Sequence, residues 1–477
     1  MGYFLGIDLG TSYFKAGLFD RNGRLQGLGR QFVEKDIKNE TTCEVPVDTF
    51  WGTLRNCVGE AVQAANINPK EIRSISYSSQ ANSFILLDSN DKPLTPLILW
   101  PDKRAEEVST PIELLQDRVD FLEKTGLGVD LTPEFLVAKL SWFQKKQPRI
   151  WRHTKSILSI SDYFVFELTG QRVGDLSTAS MTGMLDTQKC QWWYEMLELF
   201  NIETYQLPIP QRVGTLVGPL TTKGAQYLGL QQGIPFYLGG LDHHIAAIGA
   251  GLPLSKNISE STGTVLACVN YQECYLPQDK ICIAPGLEDN HYFQMVFDEN
   301  GAASLEWYQK KHAPEFSIPE LLEMAANIGI GSEGLIARPC AHKFRGLSGF
   351  KNVKQTHRYG HFTRSILEST ALSLSRIVAG LSSGAMAGGI VPTGGGAKSR
   401  LWVKIKSDML GKSFIIPECS ETACLGAAML GAIGAKEYNN INEAIEGWAR
   451  HKKIVYPDPA NTKGYKDWCL NNIILFE

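Results

Sequence analysis

The chain has 477 residues, with 47 Lys and Arg against 50 Asp and Glu, a formal net charge of −3. That balance gives no field to hold a polyanion, which argues against nucleic-acid binding and against an anionic membrane surface as a partner. Hydrophobic residues at 43% and charged residues at 20% are those of a folded chain long enough for about two to four domains, while its 45 glycines exceed the usual ~7% by roughly a dozen.

The first forty residues read as an antiparallel meander. Strands are expected over 3–8, 15–20 and 25–33, separated by the turn Gly10-Thr11-Ser12 and the tight turn Arg21-Asn22-Gly23. Over 48–65 the apolar residues Phe50, Trp51, Leu54, Val58, Ala61, Val62 and Ala65 recur at helical spacing, and 72–77 and 84–88 read as strands. A meander followed by alternating helix and strand is the pattern of a mixed α/β layer fold. An amphipathic helix with Leu136, Leu140, Trp142 and Phe143 is expected over 132–151, and another over 161–168, stopped by Gly170. Residues 233–240 form an apolar strand running into glycines, with a helix over 242–250 directly after it, a junction expected deep in the molecule.

Glycines and Pro253 around 249–254 mark a domain boundary, dividing the chain into 1–250 and 251–477. The second half opens with a comparable series. Ser261-Thr262-Gly263-Thr264, on a hairpin over 257–270, echoes Asp8-Leu9-Gly10-Thr11-Ser12 and suggests an internal duplication whose copies face one another. A helix over 363–381, a strand over 390–392, a Gly-rich turn at Gly394–Gly396, and helices over 399–410 and 422–435 follow. The tail after Pro457-Asp458-Pro459 is expected to pack on the surface.

Ten scattered cysteines, none in a C-x-x-C pair, read as reduced thiols. With no basic leader and no apolar run near the ~18 residues of a membrane span, the expected location is cytoplasmic.

Three glycine-containing turns, Gly10–Ser12, Ser261–Thr264 and Gly394–Gly396, let backbone N–H groups approach an anion, as phosphate oxygens require, although any one such turn also answers to ordinary turn geometry. Neither familiar nucleotide motif fits. Gly411-Lys412-Ser413 lacks the first P-loop glycine, since Lys406 stands there, and Ser399 replaces the last glycine of a dinucleotide fingerprint. Asp8 ends an apolar strand beside a Gly-Thr turn, where a carboxylate can hold Mg²⁺ near bound phosphates. Asp242 opens a helix whose dipole keeps it ionised, a place suited to a helix cap and equally to a base that accepts the proton of an attacking hydroxyl. His243 and His244 point about 100° apart and lack metal-binding spacing, so one of them is expected to line a pocket. Gln80, Asn82, Trp100, Asp102 and Arg104 follow strand ends, where polar residues of α/β layers tend to line a cleft.

These residues together resemble the FGGY carbohydrate kinases. The strongest match is Gly394-Gly395-Gly396-Ala397-Lys398-Ser399-Arg400-Leu401-Trp402, continuing through Lys406-Ser407-Asp408-Met409-Leu410-Gly411; Gly6-Ile7-Asp8-Leu9-Gly10-Thr11-Ser12 is similar to the phosphate hairpin of all actin-like ATPases. Leu99-Trp100-Pro101-Asp102-Lys103-Arg104, Asp162-Tyr163-Phe164, Leu168-Thr169-Gly170 and Glu421-Thr422-Ala423-Cys424-Leu425-Gly426 extend the match along the chain.

The resemblance implies an α/β fold of two actin-like (ribonuclease H-like) domains flanking a central catalytic cleft. It implies ATP held mainly by the C-terminal domain and a small sugar mainly by the N-terminal one. Asp8 would organise Mg²⁺. Thr11, Ser12, Thr262, Gly263 and Thr264 would approach the phosphates, and Gly394, Gly395, Gly396 and Ala397 would line the adenosine site. Asp242 matches the family's catalytic base, with Gln80, Asn82, Trp100, Asp102, Asp242 and His243 on the substrate side. Homodimers are common among similar proteins. Ala81-Asn82 after Gln80 departs from the Arg-Glu of glycerol kinases and from the Met-His usual in xylulose kinases. The acceptor implied is a ketopentose, xylulose first, with ribulose, erythrulose, polyols and gluconate as alternatives. A sugar sensor on the kinase fold and a chaperone-like ATPase are the rival classes; keeping both Asp8 and Asp242 argues against a sensor.

Overall fold

The structure, a computed structural model, describes residues 2–37, 41–107, 109–263, 265–338, 349–381 and 388–472. The chain separates into two compact units. The first comprises Met1–Leu254, Tyr271–Gln294 and Glu421–Ala449; the second comprises Ser255–Asn270, Met295–Ser420 and Arg450–Glu477.

In the first unit β1 (Tyr3–Leu9), β2 (Tyr13–Phe19) and β3 (Leu25–Phe32) form the expected meander. Helix α1 (Val47–Ala65) lays Phe50, Leu54, Val58 and Ala61 into one core with Leu5, Ile7 and Leu9 of β1. β4 (Ile72–Ser79) then pairs with β1 in parallel. The single helix expected over 132–151 is two. α2 (Leu136–Lys146) stops at Gln147 and the chain restarts as Pro148–His153, because Pro148 lacks an N–H and pushes the preceding residue out of the helical region. α3 (Ile160–Thr169) ends as expected at Gly170, with φ 75°.

The strand expected over 233–240 is also divided. β5 (Leu216–Pro219) precedes β6 (Pro235–Tyr237) and β7 (Gly240–Leu241), which pair with β4 at different points. Between them Gly239 passes so close to β4 that a Cβ would lie 1.7 Å from the Tyr77 carbonyl oxygen. The sheet runs β5-β6-β4-β1-β2-β3, with β7 also on β4, and α4 (Asp242–Gly249) leaves β7 directly.

In the second unit β8 (Ile258–Thr262) and β9 (Leu266–Gln272) make an antiparallel hairpin. After α5 (Tyr359–Leu381), β10 (Ile390–Thr393) pairs with β8 in parallel, repeating the arrangement of β1, β2 and β4. α6 (Arg400–Leu410), capped by the Ser399 hydroxyl, leads to β11 (Phe414–Pro417), which pairs with the strand His451–Val455. The tail packs on the surface as expected, but as a helix. It forms the helix Pro459–Asn472, whose Tyr465 is buried and hydrogen-bonded to Arg364 and Glu368 of α5. An aromatic facing inward from a polar segment carries too little periodicity to announce a helix.

α7 (Thr422–Gly434) belongs to the first unit and covers the face of β1 opposite α1. A Cβ at Gly6 would lie 2.0 Å from the Cys424 carbonyl oxygen, so β1 and α7 meet backbone to backbone. Trp448, just beyond, packs on Phe4 and Phe19. Cover on both faces explains why six of the seven β1 residues are buried.

Candidate active site

Three strand ends of the first unit set the geometry. Asp8 of β1 stands opposite Ser78 of β4, and Ser78 stands opposite Gly240 of β7, so Asp8, Gln80 and Asp242 leave the same edge of one sheet. Asp8 is buried. It accepts a 3.0 Å hydrogen bond from the Ser78 hydroxyl and lies 3.6 Å from Lys15 Nζ, which is 3.0 Å from Glu421. Burial raises the Asp8 pKa, Lys15 opposes the rise, and the Asp242 and Glu421 carboxylates add to it. For Lys15 burial works the other way, yet Asp8 and Glu421 outweigh it and hold the ammonium above the ordinary lysine value.

The turn after β1 is joined by hydrogen bonds to the loop after β4 and to the loop after the strand Leu97–Ile98 of a separate, four-stranded sheet. Trp100 Nε1 donates to the Thr11 hydroxyl at 2.8 Å, Thr11 donates to Gln80 Oε1 at 3.2 Å, and Gln80 Nε2 donates to the Leu9 carbonyl at 3.3 Å. Ser83 closes the circuit, donating to Gln80 Oε1 and accepting from the Trp100 N–H. Residues matched to phosphate and to sugar therefore share one polar network. Ser12, by contrast, is exposed. Asn82 sits in the left-handed region at φ 58°, its side chain accepting from the Leu136 N–H and donating to the Met181 carbonyl.

Asp102 is 0% exposed. Its carboxylate accepts from the Cys43 and Arg104 N–H groups and from the Arg104 guanidinium, which also reaches Glu44. Burial alone would raise its pKa, but the Arg104 and Cys43 hydrogen bonds bring it below the ordinary aspartate value. This carboxylate pins the loop that carries Trp100.

Asp242 is the first residue of α4 and a third exposed; among the described residues its carboxylate accepts from the adjacent His243 N–H, at 2.7 Å, and from no N–H of the next turn. His243 is half-buried, with Nε2 4.0 Å from Asp242 Oδ1. His244 turns inward, stacks on Phe293 at 4.6 Å, and shares a 2.9 Å hydrogen bond with the Ser177 hydroxyl, which also accepts from the Leu241 N–H. Ser177 and His244 thus fix the start of α4. Burial, with His243 adding, lowers the His244 pKa to about 3. Between that value and the ordinary 6.5 the unfolded chain binds more protons, so stability falls as pH drops through this window. His244→Phe, which keeps the ring contact, is expected to lessen the loss between pH 6.5 and 5 by about 2 kcal/mol, checked by urea denaturation at both pH values.

The second unit places its turns side by side. β8 and β10 run parallel with Ser261 opposite Thr393, so Thr262-Gly263 and Gly394-Gly395 leave the same sheet edge. Gly394 has φ 70°, a Cβ on Gly396 would come 2.6 Å from that of Thr262, and a Cβ on Gly395 would meet nothing within 4 Å among the described residues. Gly395 thus faces open space, with no packing reason for lacking a side chain, and half-buried Ala397 follows in the same turn. Beneath, the buried Lys406 ammonium donates to Glu260 at 2.8 Å and to the Thr262 hydroxyl at 2.5 Å. The Thr262 hydroxyl is thereby held from below. Thr264 lies outside the described residues.

Among the described residues no group of three His, Cys, Asp or Glu side chains could hold a metal ion. Mg²⁺ needs no such cage, since it keeps waters and takes one or two carboxylates together with substrate phosphates. A desolvated carboxylate beside further carboxylates and two hydroxyl-bearing turn residues fits that demand at Asp8.

Sequence reasoning passed over Ser83, Lys139, Ser177, Glu260 and Lys406. Lys139 and Lys406 had a readable signal, since each stands in the apolar stripe of its helix, beside Leu136, Leu140 and Phe143 or Trp402, Ile405 and Met409.

Residues 3–249 match the N-terminal domain, and residues 333–435 the C-terminal domain, of the FGGY family of carbohydrate kinases, together well over half of the chain. The chain belongs to this family and is a carbohydrate kinase, a phosphotransferase with a sugar acceptor. Among its relatives, a xylulose kinase of Bacillus subtilis (strain 168) is 28% identical over 484 residues, covering 98% of this chain and 95% of that protein. A gluconokinase of the same strain is 26% identical over 481 residues, covering 95% and 92%. The crystal structure of a xylulose kinase from Lactobacillus acidophilus matches with a TM-score of 0.88 at 22% identity, over 100% of this chain and 98% of that one. The expected α/β class with two actin-like domains is the observed fold. No described helix is long and apolar enough to cross a membrane.

Proposed function

We propose that the protein transfers the γ-phosphate of ATP to a hydroxyl of a ketopentose, xylulose first, with Asp242 as the general base. The observation that carries this reading is the common sheet edge of Asp8, Gln80 and Asp242, with Thr11, Gln80 and Trp100 in one hydrogen-bonded network. Gln80, Asn82, Trp100 and His243 face the sugar, and Asp102 serves the same subsite by holding the Trp100 loop. As the sugar oxygen attacks the γ-phosphorus, its proton passes to the Asp242 carboxylate and ADP leaves. Asp8 would hold Mg²⁺, which when bound neutralises charge on the phosphates. Thr11, Ser12, Thr262 and Gly263 approach those phosphates, while Gly394, Gly395, Gly396 and Ala397 line the adenosine. The domain preceding residue 251 serves the sugar, the one following residue 250 serves the nucleotide, and the reaction is cytoplasmic.

ADP release across a panel of ketoses, polyols and aldonates tests the acceptor. D-xylulose is expected to give the highest kcat/KM; a preference for gluconate would move the assignment to an aldonate kinase, and release independent of any acceptor would point to an ATPase. Gly395→Val is expected to fold, since the added Cβ meets no neighbour among the described residues, and to raise the KM for ATP about tenfold or more while leaving that for sugar unchanged. Unchanged ATP kinetics would remove Gly395 from the nucleotide site.

A further inference from the structure

Lys139 of α2 is 0% exposed, and no part of the mechanism above uses it. Its Nζ donates three hydrogen bonds, all to backbone carbonyls: Asn82 at 3.2 Å, Leu99 at 3.0 Å and Trp100 at 3.1 Å. These carbonyls lie on two separate loops. One follows β4 of the large sheet, and the other follows the strand Leu97–Ile98 of a small four-stranded sheet. The same helix grips the first loop a second time, through the Leu136 N–H on Asn82 Oδ1 at 3.0 Å. The second loop carries the indole that reaches Thr11.

We propose that Lys139 is a positioning residue for the sugar subsite, its buried ammonium tying the Asn82 loop to the Trp100 loop and so fixing the width of the pocket they line. The proposal rests on the reading that these two loops contact the sugar. A lysine suits the task because an ammonium has three donors and no acceptor, one for each carbonyl, whereas a methionine of similar length leaves all three oxygens without a donor. Burial pulls the Lys139 pKa down to about 7, with Asp102 opposing the fall; only the protonated amine can serve three carbonyls at once.

The test is steady-state kinetics of Lys139→Met in the full chain, with Trp100→Ala as control and the best acceptor of the sugar panel as probe. Lys139→Met is expected to raise the KM for sugar about tenfold to a hundredfold, the scale of a small misplacement of positioning groups, with the KM for ATP within about twofold of the parent. A parallel rise in both KM values, or a fall in kcat alone, would mean a merely structural lysine and overturn the proposal. If Trp100→Ala raises the sugar KM and Lys139→Met does not, the subsite reading stands and the Lys139 proposal fails. If Trp100→Ala leaves that KM unchanged, the subsite reading fails and the proposal with it. Should Lys139→Met not fold, Lys139→Ala is titrated with propylammonium and, separately, with tetramethylammonium, which carries charge but no donor. Recovery of the sugar KM with the first and not the second supports the clamp; no recovery, or equal recovery, overturns it.

Discussion

Asp242→Asn is expected to lower kcat by about 10²- to 10⁴-fold, the range a positioned general base contributes, while the KM values for ATP and sugar stay within a few-fold. The amide keeps the size of the side chain and an oxygen to accept the His243 N–H, so α4 has no reason to move. What it loses is the capacity to take a proton. A carboxylate at the first residue of a helix, a third exposed and bonded among the described residues to its neighbour's N–H, makes there none of the cross-turn bonds that would account for it as a cap. Single-turnover measurement of sugar phosphate formation separates chemistry from product release; a near-parental rate would remove Asp242 as the base.

Lys406→Met is expected to cost about 3–5 kcal/mol of stability, because it strands Glu260 with neither water nor a cation. Both side chains are 0% exposed, and one Glu260 oxygen already lacks a hydrogen-bond partner among the described residues. The double variant Glu260→Leu/Lys406→Met is expected to recover most of that loss, since an apolar pair of similar volume is commonly neutral or better than a buried ion pair. Urea denaturation of the two single variants and the double variant checks this; simple additivity would contradict it. The Thr262 hydroxyl loses both its partners in the double variant. A fold that survives with a raised KM for ATP would show that the pair serves the turn above it more than the core around it.

Much of the architecture was legible because it rests on local rules. The meander declared itself through short β-rich runs between Gly-Thr and Asn-Gly turns, and α4 through an acid following two glycines. The network of Thr11 with Trp100 could not be read, since the partners are 89 positions apart and neither local spacing nor periodicity records the pairing. Placement after a strand end likewise does not reveal which way a polar group turns. Gln80 and Asp102 both follow strand ends, but Gln80 joins the Thr11 network whereas Asp102 turns inward to Arg104 and the Cys43 N–H. A lysine in an apolar stripe is the readable trace of a buried clamp, and it asks for carbonyls or a carboxylate that only the fold supplies.

The return of α7 to the first unit has a consequence for biosynthesis. The helix that covers Gly6, and the Trp448 that covers Phe4 and Phe19, leave the ribosome only after the whole of Ser255–Ser420 has been made. At ~5–20 residues per second that interval lasts roughly 10–30 s. Throughout it the face that Phe4 and Gly6 of β1 share with Phe19 of β2 lacks its cover. Chaperone engagement of the emerging chain, ending once residue 449 is free of the exit tunnel, is the expected result of this order of synthesis, checked by chaperone capture on ribosome-bound chains of increasing length.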